Sequence, residues 1–265
     1  CTQQHPYYLD LFIAMTGRTP NTGVYLEKNR QPVCEIQVTL PTSFDDAIWP
    51  MVGWLAGHKS PNGIPLLSGL EDISINNDGL KALCAAFGTT SAAPMIHIKG
   101  HTPEDDLQSV KGASSKSIMP IDLLNLWQNF NTGNNKIDLV AIGSPHASTS
   151  ECLKFLEFLM DKNEVVNVPT ILTVGRETLA KLEEQGHLNQ LTKLGVQVVP
   201  DICWCSITEP IFPSKTQTLV TNSGKYAHYG KGLTGRNVRF GSLENCASAS
   251  INGYVDDDFP QWLTA

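Results

Sequence analysis

The sequence has no long apolar run and no excess of positive charge. No stretch approaches the roughly 18 apolar residues that a membrane-spanning helix requires, and the formal net charge is -7. Proteins that bind nucleic acid without sequence preference present a basic face, so both classes are excluded. We therefore expect a cytoplasmic protein that has neither a nucleic acid nor a membrane as its partner.

Several common catalytic and cofactor motifs are also missing. The chain has no P-loop and no glycine-rich dinucleotide motif. It has no G-x-S-x-G nucleophile elbow and no H-E-x-x-H helix. The paired C-x-x-C spacing of a structural zinc site is absent too. Any chemistry must come from another arrangement of side chains.

The seven cysteines are odd in number and scattered along the chain. In a chain of this size, that pattern argues against a disulfide framework. Cys34, Cys84 and Cys152 lie on apolar stripes, and we predict that all three are core residues because free cysteine packs as a small hydrophobe. The sequence begins at Cys1 without a methionine, so we expect it to be a piece of a longer protein.

The order of the predicted elements indicates an α/β fold. From about residue 136 short apolar strands alternate with amphipathic helices, which is typical of parallel sheets with right-handed crossovers. The polar segment 129–135 divides the chain, so we predict two packed α/β sub-domains, residues 1–130 and 131–265. We predict strands at 33–40, 95–98, 137–142, 170–174, 196–199 and 218–221, helices at 6–16, 44–56, 77–87, 148–160, 177–185 and 243–251, and a polar loop at 111–117.

The segment S-P-H-A-S at 144–148 follows a predicted strand and opens a predicted helix. Ser148 and Glu151 have the spacing of a capping box, in which both side chains satisfy helix N–H groups. His146 could act as an acid, a base or an anion contact near the helix N-terminus. A purely structural role for His146 stays equally open.

Two further polar loops follow strands in the second half. Cys203 and Cys205 come after Asp201 in a proline-flanked loop, and thiolates are ligands suited to iron–sulfur clusters or zinc. The T-N-S-G-K segment at 221–225 could bind a carboxylate or phosphate, or could be an ordinary capped turn. Cys246 is equally open between core packing and metal ligation. Loops at strand ends are where open α/β sheets bind ligands, so these loops are the candidate site.

Taken in order, these segments resemble the aconitase X family over almost the whole chain. The matching segments are T-G-R-T-P at 16–20, G-L-E at 69–71, L-K-A-L at 80–83, G-S-P-H-x-S-x-x-E at 143–151, D-x-C at 201–203, T-N-S-G-K at 221–225 and F-G-S-L-E-x-C at 240–246.

The resemblance implies an aconitase-like fold and a hydro-lyase that removes water from a small hydroxy acid. It also implies an iron–sulfur cluster, [2Fe-2S] or larger, and a small swivelling domain or subunit that completes the active site. On this interpretation the metal ligands would be Cys203, Cys246 and Cys1, with Cys205 as another candidate for the third position. The catalytic residues would be His146 and Lys225, and the substrate-binding residues Arg18, Ser144, Asn222, Ser223 and Lys225.

Two departures from the family pattern bear on the activity. The family stretch before T-G-R and the small swivelling domain are both absent from the sequence, so the general base could lie outside it. Some relatives are expected to carry a cysteine where Ser144 stands. The S-P-H segment favours cis-3-hydroxy-L-proline as substrate. The alternatives are mevalonate 5-phosphate, or an inactive module that binds a small acid or a metal without turnover.

Overall fold

Two parallel β-sheets, each flanked by helices, form the architecture. The computed structural model describes residues 7–162 and 164–264. The predicted α/β class with two packed sheets is confirmed. In chain order the elements are α1 Tyr7–Thr16, β1 Cys34–Val38, α2 Ile48–Lys59, β2 Pro65–Ser68, α3 Asn77–Thr90, β3 His97–Ile98, β4 Ser114–Ile118, α4 Pro120–Phe130, β5 Leu139–Ala147, α5 Thr149–Lys162, β6 Thr170–Val174, α6 Arg176–Glu184, α7 His187–Lys193, β7 Val196–Pro200, β8 Thr218–Thr221, α8 Gly224–Thr234, β9 Asn237–Phe240, α9 Leu243–Asn252 and α10 Gln261–Thr264.

The first sheet has the order β3-β2-β1-β4, with all neighbours parallel. In β1, alternate residues are buried, as the period-2 pattern of the sequence predicts. The prediction of a loop at 111–117 is wrong, because β4 pairs along its length with β1. Four of its five side chains are exposed. An edge strand of this kind is held by backbone hydrogen bonds and leaves no apolar alternation in the sequence.

The second sheet has the order β7-β6-β5-β8-β9, also entirely parallel. Successive strands run outward from β5 to one edge, and the chain then returns to place β8 on the other side of β5. The connections therefore diverge between β5 and β8. In an open parallel sheet this switch point leaves a crevice at the carboxyl ends of the two strands.

The two halves of the chain are in direct contact. Gly224, the first residue of α8, packs so closely on α2 that a Cβ atom there would lie 2.9 Å from the Pro50 Cβ. Trp54 of α2 donates from Nε1 to His228 Nδ1 at 3.1 Å. The last helix returns to the first half, where the rings of Trp262 and Trp127 lie 6.3 Å apart.

The structure can be compared with several local predictions. The predicted helix 44–56 corresponds to α2, and it tolerates Pro50 because this residue lies in the first turn, where a missing N–H costs nothing. Cys34 and Cys152 are buried, as predicted, whereas Cys84 is half-buried. The predicted helix 6–16 corresponds to α1, in which the Phe12 side chain is 56% exposed. Among the described residues, no helix combines the length and apolarity needed to cross a membrane.

Gly53→Ala is expected to lower the free energy of unfolding by about 1–3 kcal/mol, the usual cost of overpacking. A Cβ at this position of α2 would lie 2.0 Å from the carbonyl oxygen of Leu83 in α3, so the two helices would have to separate. Urea unfolding measures the change. Gly232→Ala in α8 is the matched control, since no atom of the described residues lies within 4 Å of a Cβ built there. This substitution is expected to raise the free energy of unfolding by about 0.5–1 kcal/mol. Equal effects of the two substitutions would contradict the packing argument.

Candidate functional site

The carboxyl end of β5 and the loop after β8 meet at the switch point of the second sheet. Strand β5 extends to Ala147, beyond the predicted end at residue 142, with an irregularity in its pairing between Ile142 and Ala147. Ser223 caps α8 by accepting from the Tyr226 N–H at 3.0 Å, and its hydroxyl donates to the carbonyl oxygen of Ser144. Gly143 just before has φ +105°, and a Cβ there would lie 2.2 Å from the Thr173 carbonyl oxygen. Only glycine fits this close approach. The backbone therefore fixes Ser144 and Ser223 side by side.

A network of charged side chains lies beneath this loop. The Lys81 ammonium of α3 contacts the Glu151 carboxylate, lies 3.3 Å from Asp78 Oδ1, and donates to the His146 carbonyl oxygen at 3.1 Å. The predicted capping box is confirmed: the Ser148 N–H donates to Glu151 at 2.8 Å and the Glu151 N–H to the Ser148 hydroxyl at 3.1 Å. Lys81 thus ties helix α3 of the first half to the loop of the second.

The network shifts the pKa of both carboxyl groups. Burial raises the pKa of Glu151 above its ordinary value, and the charge of Lys81 opposes this shift. Asp78 is also desolvated by burial, but hydrogen bonds from Ser150 and Ser148 and the Lys81 charge outweigh it and lower its pKa. The two carboxyl groups around one lysine therefore differ in proton affinity.

His146 is held by its ring. Its Nε2 lies 3.0 Å from the carbonyl oxygen of Ile202, and because a carbonyl only accepts, Nε2 carries the proton. In the neutral ring, Nδ1 is then the free acceptor. Next to Ile202, the Asp201 carboxylate accepts a hydrogen bond from the Arg176 side chain at 2.8 Å. This hydrogen bond holds the pKa of Asp201 below its ordinary value.

Lys225 lies on a different cavity from Asn222 and Ser223. It lines a cavity of about 640 Å³ between the two halves, together with Tyr229, Cys84 and His101. The Nε2 of His101 is already engaged with the Leu70 carbonyl oxygen at 2.8 Å. Among the described residues that line this cavity, Lys225 is the one lysine or arginine.

Asn222 and Ser223 line a much smaller pocket with Ser144, Lys81 and Glu151. This pocket measures about 20 Å³, which is room for little more than one water molecule. The Ser144 hydroxyl is shielded from solvent and has no hydrogen-bond partner among the described residues. The structure thus brings Ser144, Asn222 and Ser223 together, but in a space too small for a substrate.

Arg18 is exposed, in the turn that follows α1. Its backbone N–H donates to the Thr16 hydroxyl at 3.3 Å. Within the part of the chain that the structure describes, no hydrogen bond or ion pair joins Arg18 to the other predicted site residues. Its substrate-binding role stays a prediction.

The cysteines predicted as metal ligands occupy contrasting environments. Cys203 is exposed and Cys205 half-buried. Burial, and then the neighbouring Cys203 thiol, raise the pKa of Cys205, whereas Lys225 opposes this. Cys246 is fully buried, and burial raises its pKa well above the ordinary value.

These positions do not form a metal site by themselves. Nowhere in residues 7–162 and 164–264 do three His, Cys, Asp or Glu side chains lie together in a way that could hold a metal ion. Cys1, the third predicted ligand, lies outside the described residues. The described cysteines therefore do not fit an iron–sulfur cluster on their own.

Sequence reasoning missed three residues at this site. Lys81 lies on helix α3, where the apolar spacing of the sequence predicts a helix but indicates no partner for the lysine. Its partner Glu151 lies 70 positions away in the sequence. Tyr229 and His101 line the larger cavity from separate halves of the chain. Long-range pairing of this kind has no local signal in the sequence, although Lys81 lies in the L-K-A-L segment at 80–83 that matches the family pattern.

Comparison with known proteins follows the same division of the chain. Models of the aconitase X second and third domains match residues 31–126 and 137–252, respectively. The chain belongs to the aconitase X family. The resemblance read from the sequence motifs is thereby confirmed.

Two curated members of the aconitase X family are similar over essentially the whole chain. Cis-3-hydroxy-L-proline dehydratase of Hypocrea jecorina is 36% identical over 100% of this chain and 46% of its own length. The protein of the same name from Pseudomonas aeruginosa is 38% identical over 99% of this chain and 46% of its own length. The chain thus spans about half the length of these relatives.

The archaeal branch of aconitase X is more distant. The phosphomevalonate dehydratase large subunit of Methanocaldococcus jannaschii is 30% identical over 88% of this chain and 59% of its own length. The crystal structure of Thermococcus kodakaraensis aconitase X in its holo-form superposes with a TM-score of 0.80 at 26% identity. That match covers 91% of this chain and 60% of the other. The aconitase-like fold is therefore confirmed.

Lys81→Met is expected to destabilise the protein more at pH 7 than at pH 4. Without the ammonium group, burial raises the pKa of Glu151 further. A carboxyl group with a raised pKa favours the folded state while protonated, and this contribution is lost as the pH rises through the folded-state pKa. Urea unfolding should show a loss of about 1–3 kcal/mol at pH 7 and a smaller loss at pH 4.

Lys181→Met, at an exposed position of α6, is the control for this comparison. It is expected to change the free energy of unfolding by no more than about 0.5 kcal/mol at either pH. If Lys81→Met cost the same at both pH values, Glu151 would not be the group that Lys81 compensates.

Proposed function

We propose that this chain forms the substrate-binding part of a dehydratase that removes water from cis-3-hydroxy-L-proline. The observation that carries the proposal is the cavity of about 640 Å³ with Lys225 as its single lysine among the described lining residues. A volume of this size lies within the range of small-molecule sites. The relatives of that name are also 36% and 38% identical over essentially all of this chain.

The charge of the cavity distinguishes the two substrates of the family. A doubly charged phosphate usually recruits several charge-assisted donors. Lys225 is the one fixed positive charge at the cavity in the described part of the chain, and this suits the single carboxylate of an imino acid. Mevalonate 5-phosphate is the second candidate, since phosphomevalonate dehydratases also match the chain at 30% identity or below.

In the proposed reaction, this chain orients the substrate and exchanges a proton. Dehydration needs a base that removes a proton from carbon, and assistance for the departing hydroxide. Lys225 Nζ would hold the substrate carboxylate. His146 is the proposed proton carrier, through Nδ1, because Nε2 is engaged with the Ile202 carbonyl oxygen.

We also propose that the complete protein carries an iron–sulfur cluster. Cys203 is the first candidate ligand because its thiol is exposed on the loop beside Cys205. Such a cluster would supply a Lewis acid for the departing hydroxyl. The small swivelling domain implied by the sequence motifs is proposed as the partner that closes the site.

Lys225→Gln is expected to weaken the binding of cis-3-hydroxy-L-proline about 10- to 100-fold, the range for loss of a charge-assisted hydrogen bond. Isothermal titration calorimetry on this chain measures the dissociation constant. Lys231→Gln, an exposed position on the same helix, should leave it unchanged. Equal affinities of the two variants would remove Lys225 from the site, and binding of mevalonate 5-phosphate alone would favour the second candidate.

Cys203→Ala is expected to lower the iron and acid-labile sulfide that the protein retains after anaerobic reconstitution. Cys152→Ala is the matched control, because Cys152 is buried in the core on α5, and it should retain both. Metal analysis and absorption spectra provide the measurement. Unchanged iron in Cys203→Ala would rule out this ligand, and a complete protein that retains no iron would favour the module that binds an acid without turnover.

A further inference from the structure

Asp201 has a backbone conformation that few residues other than glycine adopt. Its φ is +57°, and in the described part of the chain Glu104 is the one other such residue that is not glycine. Residues held in this left-handed region often lie at functional sites. Asp201 directly follows β7, and its N–H donates to the Val174 carbonyl oxygen of β6 at 2.8 Å. The turn at Asp201 therefore starts from a position that the sheet fixes.

The side chain of Asp201 is held by the start of helix α6. Its Oδ1 accepts from the Arg176 backbone N–H at 3.1 Å, and its Oδ2 lies 2.8 Å from Arg176 Nε and 2.7 Å from Nη2. The N-cap residue of α6 is Gly175, which has no side chain to offer, so Asp201 supplies an acceptor to the first turn from another strand. The Arg176 side chain is 82% exposed, and exposed ion pairs contribute little to stability. These contacts therefore direct the chain after β7 more than they stabilise the fold.

The residue after Asp201 holds the ring of His146. The Ile202 carbonyl oxygen accepts from His146 Nε2 at 3.0 Å. Because Ile202 is only one residue beyond the turn, a change in the backbone angles of Asp201 would move this carbonyl group. The hydrogen bond at one ring nitrogen of a histidine sets which nitrogen carries the proton. The turn at Asp201 thus bears directly on the tautomer of His146.

We propose that Asp201 is a positioning residue for His146. By holding the turn after β7 against the start of α6, it places the Ile202 carbonyl oxygen where His146 Nε2 keeps its proton and Nδ1 stays the free acceptor. The catalytic consequence rests on the proposed function, in which His146 carries a proton through Nδ1. The positioning itself does not depend on that function.

Solvent exchange of the His146 Nε2 proton, followed by NMR on the nitrogen-15-labelled chain, tests the positioning. Spectra are recorded at about pH 8, where an ordinary imidazole is neutral, and His146→Gln identifies the signal. Asp201→Gly permits the same φ but removes the carboxylate, so this proton is expected to exchange about 10-fold faster, as for a lost hydrogen bond. Asp201→Asn tolerates the same φ and keeps an acceptor oxygen, so it should retain slow exchange.

Asp258→Gly, at an exposed position near the end of the chain, is the matched control and should leave the exchange rate unchanged. Two results would overturn the proposal. One is fast exchange of the Nε2 proton in the unsubstituted chain. The other is equal exchange in the unsubstituted chain and in Asp201→Gly.

The rate of dehydration of cis-3-hydroxy-L-proline by the complete protein tests the catalytic consequence separately. Asp201→Gly should lower kcat about 10- to 100-fold, the effect of a misplaced catalytic group, with KM and iron content unchanged. An unchanged kcat would overturn the catalytic role of the positioning. Absence of turnover in the unsubstituted complete protein would contradict the proposed function, and the exchange measurement would still decide whether Asp201 positions His146.

Discussion

The carboxyl end of β5 is held from three directions, and the candidate site depends on this. The Ser223 hydroxyl binds the Ser144 carbonyl oxygen, Lys81 binds the His146 carbonyl oxygen, and the His146 ring binds the Ile202 carbonyl oxygen. These three partners come from α8, from α3 and from the loop after β7. The segments after β7 and β8 reach it because the parallel sheet places the carboxyl ends of β5, β7 and β8 at the same edge. The position of this strand end is therefore a property of the whole fold.

The contact of Lys81 with Glu151 also explains why the two halves pack in one orientation. A buried carboxylate without a partner is costly, so Glu151 needs the ammonium group that only α3 provides. The close approach of Gly224 to Pro50 acts in the same direction through shape. Charge and packing thus favour the same arrangement of α3 and α8, and the cavity that Lys225 lines lies between them.

The strongly periodic parts of the fold could be predicted from the sequence, and the parts set by distant contacts could not. Residues 170–174 were predicted as a strand with the observed bounds, because a fully buried strand is a continuous apolar run. Strand β4 was not predicted, because backbone pairing with β1 holds it and four of its five side chains are exposed. The loop 221–225 was rightly placed after a strand, but only the structure separates Lys225 from Asn222 into different cavities. Successive residues at a helix start point in different directions, and sequence spacing does not reveal which neighbour each one meets.

Cys203 and Cys246 show why a motif match does not establish a metal site. A thiol must lose its proton to bind a metal. The Cys246 thiol is enclosed by apolar neighbours, and the nearby Asp46 carboxylate raises its pKa further, so ionisation there needs a strong positive charge in contact with the sulfur. Cys203, in contrast, is exposed. A cluster that used the Cys246 sulfur would therefore have to offset the cost of ionising a buried thiol. The sequence motif presents Cys203 and Cys246 as equivalent, and the structure shows that their surroundings differ.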